Sequence, residues 1–187
     1  MWRMTPRIST VALWRSFRRV LSMLLLLVLL ALSTGAAIVV QAGRNDNQPA
    51  TAALVMLDDG ASAAAQLDRV RELYIEGKIS RILLAGSDLG ASRAALQSRG
   101  VKDEAVIELN ERSQIAQLAA AKRTLEQERL PNALLIAEPV ETLRLLKIAQ
   151  DEQLRLLNMP TSADSEISLS GVIREIGRYF RYVLLQR

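Results

Sequence analysis

Polar side chains that could do chemistry follow short apolar runs in this chain of 187 residues. Asp58 and Asp59 follow the first run, and two adjacent carboxylates there could hold a divalent cation or a sugar hydroxyl. They could equally form a turn and cap the next helix. The segment 86–90, Gly-Ser-Asp-Leu-Gly, follows the second run and could cradle an anion with backbone N–H groups. It also fits a plain strand-to-helix loop, and the carboxylate of Asp88 would oppose an anion.

Four further polar residues precede or open predicted helices. Ser113 is expected to cap a helix, with ligand binding as the alternative. Glu138 and Glu141 flank Pro139 in a first helical turn, where acidic side chains favour the helix dipole. Arg144 lies three residues after Glu141, so the two could form an ion pair along the helix, or Arg144 could clamp an anion.

Several reaction classes are excluded by residues that the chain lacks. It has no cysteine, which removes disulfide and thiolate chemistry, and no histidine, which removes the commonest general base and zinc ligand. A Ser–His triad is therefore impossible. No GxGxxG follows the first apolar run, and neither GxxxxGK[ST] nor GxSxG occurs. An oxygen-only cation site stays open, but these patterns assign neither a metal site nor a cofactor.

The net charge of +4 comes from the N-terminal segment. Residues 1–40 carry five arginines and no acid, which leaves 19 basic and 20 acidic residues in 41–187. A nucleic-acid-binding domain would carry a basic excess in its folded part. We therefore predict no nucleic-acid partner.

The uncharged run Val20–Val40 holds 21 residues, and a helix of that length spans the roughly 30 Å hydrocarbon core of a bilayer. Arginines before the run place the N-terminus in the cytoplasm and the domain in the periplasm, or outside, of an inner (cytoplasmic) membrane. Cleavage after Val40-Gln41-Ala42 is the alternative, but the run exceeds a usual signal peptide. The predicted division is a cytoplasmic basic segment (1–19), a transmembrane helix contacting the lipid bilayer (20–40), a linker (41–51) and a domain (52–187).

Strand and helix patterns alternate in the domain. Short apolar runs predict strands at Ala52–Leu57, Arg81–Ala85, Ala105–Leu109, Ala133–Ala137 and Leu154–Met159. Helical spacing predicts helices at 61–76, 91–99, 113–128 and 140–151, and a C-terminal amphipathic helix. The inward face of that last helix is predicted to hold Val172, Ile176, Phe180, Val183 and Leu184, and its outer face Arg174, Arg178 and Arg181. These arginines are expected to face solvent, or lipid headgroups if the helix faces the membrane.

The alternation predicts an α/β fold: a three-layer, Rossmann-like, doubly wound parallel sheet of about five strands after one transmembrane helix. Ligands in that architecture bind at the carboxyl ends of the strands.

The stretch 68–87 resembles the YdcF/SanA/ElyC-like proteins, the domain-of-unknown-function family numbered 218. Its residues Arg69, Leu73, Tyr74 and Gly77 keep the family pattern. Further matches across 52–185 include Ser113, Arg144 and Glu175. The chain departs from the pattern where Ala116, Leu118 and Ala119 replace a Thr, a Glu and an Asn, and where Glu141 replaces a His.

The resemblance implies a Rossmann-like domain, in one branch with a membrane anchor, and roles in the surface-permeability barrier, vancomycin sensitivity and peptidoglycan or lipid-carrier metabolism. One branch binds S-adenosylmethionine, but the chain's own cofactor is left unassigned. The implied ligand-binding residues are Arg69, Ser113, Arg144 and Glu175, joined by Asp58 after the first strand. Arg69 and Arg144 are expected to converge on one pocket.

Three functions follow as expectations. The first is a membrane-anchored periplasmic protein of cell-envelope integrity or envelope polymer metabolism that binds an anionic ligand with little or no catalysis. The second is an enzyme on a phosphorylated or lipid-linked envelope substrate, with Asp58, Asp59 or Glu138 as the base. The third is a structural partner module of a membrane complex.

Overall fold

Strands and helices alternate along the chain and form a Rossmann-like α/β domain. The computed structural model describes residues 10–46, 48–57, 62–161 and 167–185. The strands are β1 (Ala52–Leu57), β2 (Arg81–Gly86), β3 (Val106–Leu109), β4 (Ala133–Ile136) and β5 (Leu156–Asn158). The helices are α1 (Thr10–Ala42), α2 (Ser62–Ile75), α3 (Leu89–Ser98), α4 (Gln114–Gln127), α5 (Thr142–Asp151) and α6 (Leu169–Leu185), with 3₁₀ turns at Asp103–Ala105 and Pro139–Glu141.

The five strands form one parallel sheet in the order β3-β2-β1-β4-β5. From β1 the chain moves outward through β2 to β3, then returns to the other side of β1 for β4 and β5. Leu54 at the centre of β1 pairs in register with Leu83 of β2 and Leu135 of β4. The strand order therefore reverses between β1 and β4, and this doubly wound sheet is the predicted fold.

Each face of the sheet is covered by its own helices, which makes three layers. Side chains alternate across β1, so Val55 faces the core beneath α2 and α3, whereas Leu54 faces the core beneath α4 and α5. Every residue of β1 is buried, as expected for a continuous apolar strand covered on both sides. The predicted bounds of the strands and of α2 to α5 agree with the observed ones to within two residues, whereas α1 begins ten residues before the start predicted at residue 20.

Gly86 closes β2 in a conformation that only glycine accommodates. Its φ is +121°, and a Cβ placed there would lie 2.0 Å from the carbonyl oxygen of Leu57. The ends of β1 and β2 therefore approach closely where the loop to α3 begins. Asp88 follows in the left-handed region, with φ +46°.

Helix α1 combines a long exposed segment with a C-terminal end packed on the domain. The segment Ser16–Ala42, 27 residues, is long and apolar enough to cross a membrane, and only 6% of its most apolar stretch is buried. That low burial distinguishes it from a core helix. Near its end, Ile38 is fully buried against Val140 and Val172.

The segment predicted as a linker is tied to the domain. Gln41 and Ala42, predicted to begin the linker, are the last two residues of α1. The side-chain Nδ2 of Asn158 donates to the carbonyl oxygens of Gln41 (2.9 Å) and Arg44 (2.6 Å), and its backbone N–H donates to Asp46 Oδ2 (2.8 Å). The apolar end of α1 and these bonds hold the helix and the domain together, so no free tether separates them.

The face that α6 presents to the domain differs from the predicted inward face. Val172 is buried as predicted, but Val183 and Leu184 are exposed, and Leu184 retains 77% of its accessible surface. Glu175 is buried instead. The prediction was wrong for these residues because α6 packs against α5 through Glu175, which forms an ion pair with Arg144 of α5.

Candidate functional site

A cluster of charged side chains is buried where α5 and α6 meet. Glu141 ends the 3₁₀ turn after β4, Arg144 lies in the first turn of α5, and Glu175 projects from α6; each is less than 10% exposed. Arg144 Nε donates to Glu175 Oε1 at 2.5 Å, and its Nη2 donates to Glu141 Oε1 at 3.2 Å. The predicted pairing of Glu141 with Arg144 is confirmed, and Glu175 joins it from 31 residues away.

Two further side chains complete the cluster. Arg178 on α6 places its Nη1 2.7 Å from Glu141 Oε1 and 3.8 Å from Glu175 Oε2. Gln114, at the start of α4, accepts a hydrogen bond from Arg144 Nη1 and donates from Nε2 to Glu141 Oε2 at 3.3 Å. The guanidinium of Arg144 thus has a partner in each direction, as a buried charge requires.

The electrostatics of the cluster are set by its burial. Removal from water raises the pKa of Glu175 above its ordinary value of 4.5, and the hydrogen bond and charge of Arg144 act in the opposite direction. Burial has the larger effect. Glu175 therefore takes up a proton at a higher pH in the folded chain than in the unfolded one.

An arginine-lined pocket of about 370 Å³ opens beside this cluster, between the start of α4, α5 and α6. We call it the arginine pocket; it is lined by Ser113, Gln114, Ile115, Glu141, Arg144, Ile148, Arg178, Arg181 and Tyr182. Ser113 is the predicted helix cap, because its Oγ accepts a hydrogen bond from the N–H of Ala116 at 3.2 Å. The exposed Arg181 has no hydrogen bond or ion pair within the part of the chain described.

A second, larger cleft of about 600 Å³ lies at the carboxyl ends of β1, β2 and β3. It shares Gln114 and Glu141 with the arginine pocket, but its other charged residues are mostly acidic, and we call it the acidic cleft. Asp88, Glu108, Glu111 and Glu141 line it beside a single arginine, Arg112. An anion would meet an excess of carboxylates there, so the arginine pocket is the better place for one. Among the described residues, no group of three acidic side chains is arranged to hold a metal ion.

Arg69 lies apart from this site, which corrects the prediction that it converges with Arg144. It projects from α2, contacts Glu72 and reaches Met159 Sδ at 3.5 Å with its Nη2. Met159 belongs to the core beneath α2, whereas α5 packs on the opposite face of the sheet. The two arginines were predicted to meet because both follow the family pattern, but α2 and α5 cover different faces.

Of the other predicted ligand-binding residues, three lie together and one falls outside the described residues. Ser113 and Arg144 line one pocket, and Glu175 holds Arg144 in place. Asp58 and Asp59 lie outside the described residues. The sequence interpretation therefore brought three of its five site residues to one place.

Three residues of this region were missed from the sequence. Gln114 and Arg178 join the charged cluster, although Arg178 was assigned to a solvated face.

The third is Gln66 on α2, which is fully buried at the point where the strand order reverses. With its amide oriented to satisfy both polar atoms, it donates to the Met56 carbonyl (3.2 Å) and accepts from the Glu138 N–H (3.1 Å). The helical spacing could have predicted that Gln66 is buried, since it lies on the same face of α2 as Val70 and Leu73.

Comparison with known proteins found no matching family model, no matching curated protein and no matching solved structure. The resemblance to the YdcF/SanA/ElyC-like family stays a prediction that rests on the residues quoted for it.

Proposed function

We propose that this protein is anchored in the inner membrane by α1 and binds an anionic ligand in the arginine pocket on the periplasmic side. One observation carries the proposal: Arg144, Arg178 and Arg181 line a single pocket at the start of a helix. Planar guanidinium groups that surround one volume suit phosphate and carboxylate groups, which they bind through paired hydrogen bonds.

The charges around the pocket leave a positive excess. Three arginines face two carboxylates, Glu141 and Glu175, which leaves one positive charge in excess. The first turn of α4, which begins after Ser113, adds the positive end of a helix dipole. An anion therefore gains from both the side chains and the backbone.

The arginines have different roles in this proposal. Arg144 is buried and held by Glu141, Glu175 and Gln114, so it positions the wall of the pocket. Arg178 is half exposed, and Arg181 is exposed without a partner in the described chain, so these two have donors available for a ligand. We assign ligand contact to Arg178 and Arg181.

Binding without catalysis fits the state of the carboxylates. Glu141 contacts two arginines and a glutamine, and Glu175 contacts Arg144, so neither is positioned as a free general base. The family resemblance supports a role in cell-envelope integrity or envelope polymer metabolism for a ligand bound at the membrane. The enzyme alternative would have to find its base elsewhere: Asp58 and Asp59 lie outside the described residues, and Glu138 lines neither the arginine pocket nor the acidic cleft.

Titration of pyrophosphate into the full chain in neutral detergent tests the proposed ligand class. We expect saturable heat of binding, and an affinity lowered roughly tenfold or more in Arg181→Glu, because a charge next to the anion is reversed. Arg174→Glu is the matched control, since Arg174 is an exposed arginine of the same helix that does not line the pocket. Equal loss in both variants, or no binding by the unaltered chain at millimolar pyrophosphate, would contradict the proposal.

The proposed topology is tested by labelling single cysteines in intact cells with a membrane-impermeant maleimide. The chain has no cysteine, so each variant reports one position. Ser98→Cys, at the exposed end of α3, should be labelled once the outer membrane is opened, whereas Ser16→Cys should be labelled only after lysis. The reverse pattern would place the domain in the cytoplasm.

A further inference from the structure

Helix α6 carries an apolar stripe that the domain leaves uncovered. Leu169, Ile173, Phe180 and Leu184 follow one another at intervals of four, seven and four residues, which puts them on one side of a helix. Three of them are more than 60% exposed, and Phe180 is half-buried. We call these four residues the α6 stripe. Apolar surface of this kind, in contiguous form, marks a binding surface.

The α6 stripe lies directly beside α1. Val172 and Ile176 occupy the adjoining side of α6 and pack against the end of α1: a Cβ added at Gly35 would lie 3.4 Å from Ile176 Cδ1 and 3.8 Å from Val172 Cγ1. Ile38 is buried in the same contact. The uncovered apolar side chains of α6 therefore continue the apolar surface of α1.

The end of α1 is itself covered on one side only. Ile38 and Ala42 face the domain, whereas Val39 and Val40 on the other side are exposed. Val39 and Val40 end the uncharged run that begins at Val20. The bilayer that surrounds the rest of this run would also surround its end, and it would reach the adjoining stripe of α6.

We infer that α6 lies in the interfacial layer of the bilayer crossed by α1, with the α6 stripe in contact with lipid. The inference rests on the proposed function, because it takes α1 as the membrane span. Arg174 is exposed, flanks the stripe and has no hydrogen bond or ion pair within the described chain, so it is available to lipid phosphates. An apolar stripe flanked by arginines is the usual composition of an interfacial helix. The domain then sits on the membrane along α6.

The absence of cysteine allows a direct test with one fluorescent probe per chain. An environment-sensitive nitrobenzoxadiazole probe is attached to Ile173→Cys or Leu184→Cys in the full chain. The chain is reconstituted at one copy per nanodisc of phosphatidylethanolamine and phosphatidylglycerol containing nitroxide-labelled lipid. Both probes should be quenched severalfold more strongly by the labelled lipid than a probe at Ile75→Cys. Ile75 is the matched control, because it is 56% exposed on α2 against 62% for Ile173 on α6.

A probe at Leu26→Cys, in the exposed part of α1, separates the two proposals. Weak lipid quenching at Leu26 would overturn the membrane anchor itself. Strong quenching at Leu26 with quenching at Ile173 and Leu184 as weak as at Ile75 would overturn only the inference about α6. Protection of Ile173 from both lipid and aqueous quenchers, seen only with two copies per disc, would assign the stripe to a second copy and also overturn it.

Discussion

Arg144 and Arg69 lie on opposite faces of the sheet and differ in burial and in the number of their partners. On the face of α5, Arg144 is buried and bonded to Glu141, Glu175 and Gln114. On the face of α2, Arg69 pairs with Glu72 at the surface, where the side chains are 27% and 52% exposed, and its Nε is buried without a hydrogen bond in the described chain. Both arginines pair with an acid three residues away on the chain.

The difference comes from what lies above each helix. Helix α6 covers the start of α5, excludes water from the Glu141–Arg144 pair and supplies a second carboxylate, Glu175. A pair held away from water depends on its partners far more than one that water can replace. Identical local spacing thus gives a structural centre on one face and a surface ion pair on the other.

Truncation of the two arginines is expected to give the largest contrast. Arg144→Ala leaves Glu141 and Glu175 buried without their main partner, which should lower the free energy of unfolding by about 3–5 kcal/mol. Arg69→Ala should cost under about 1 kcal/mol, because water replaces a partly exposed pair. Pulse proteolysis of the full chain in detergent micelles across a urea series measures both. Equal losses would show that burial does not separate the two faces.

Replacement of the buried pair by apolar residues sharpens the comparison. The double variant Arg144→Met, Glu175→Leu removes both charges of the pair, so neither is left buried without its partner. Arg178 still neutralises Glu141. We expect it to recover most of the loss seen in Arg144→Ala, to within about 1–2 kcal/mol of the unaltered chain. A double variant no more stable than Arg144→Ala in the same urea series would mean that the pair stabilises the fold beyond charge balance.

The pH dependence of the free energy of unfolding should reflect the raised pKa of Glu175. Its pKa is raised on folding by burial, so the folded chain binds its proton more tightly than the unfolded chain does. The free energy of unfolding should therefore fall as the pH rises from about 4.5, its ordinary pKa, through the raised pKa. Glu175→Gln should lack this fall in urea midpoints measured from pH 4 upward. A variant that keeps the same slope would assign it to another group.

A surface pair on the α2 and α3 side should give the smallest effect. Arg99 of the loop after α3 contacts Asp68 of α2, with side chains 40% and 66% exposed. We expect Arg99→Ala to cost less than about 1 kcal/mol, and molar salt to abolish the difference because exposed charges are screened. A loss that persists in molar salt would indicate packing of the Arg99 stem as its source.

Much of the fold follows from local patterns. Continuous apolar runs such as Ala52–Leu57 become strands because only a sheet covered on both faces buries them completely. Ser113 caps α4 and Glu141 meets Arg144 because both interactions join residues within one helical turn. The long apolar run of α1 likewise needs no tertiary information to be recognised.

The sequence by itself determined the alternation of elements, the candidate membrane span and the short-range pairs, because each depends on residues a few positions apart. Only the tertiary structure decided which sheet face each helix covers, since local periodicity does not reveal where along the chain the strand order reverses. That reversal separates Arg69 from Arg144. The turn of α6 about its own axis, which buries Glu175 and leaves Leu184 uncovered, was likewise set by partners far away along the chain.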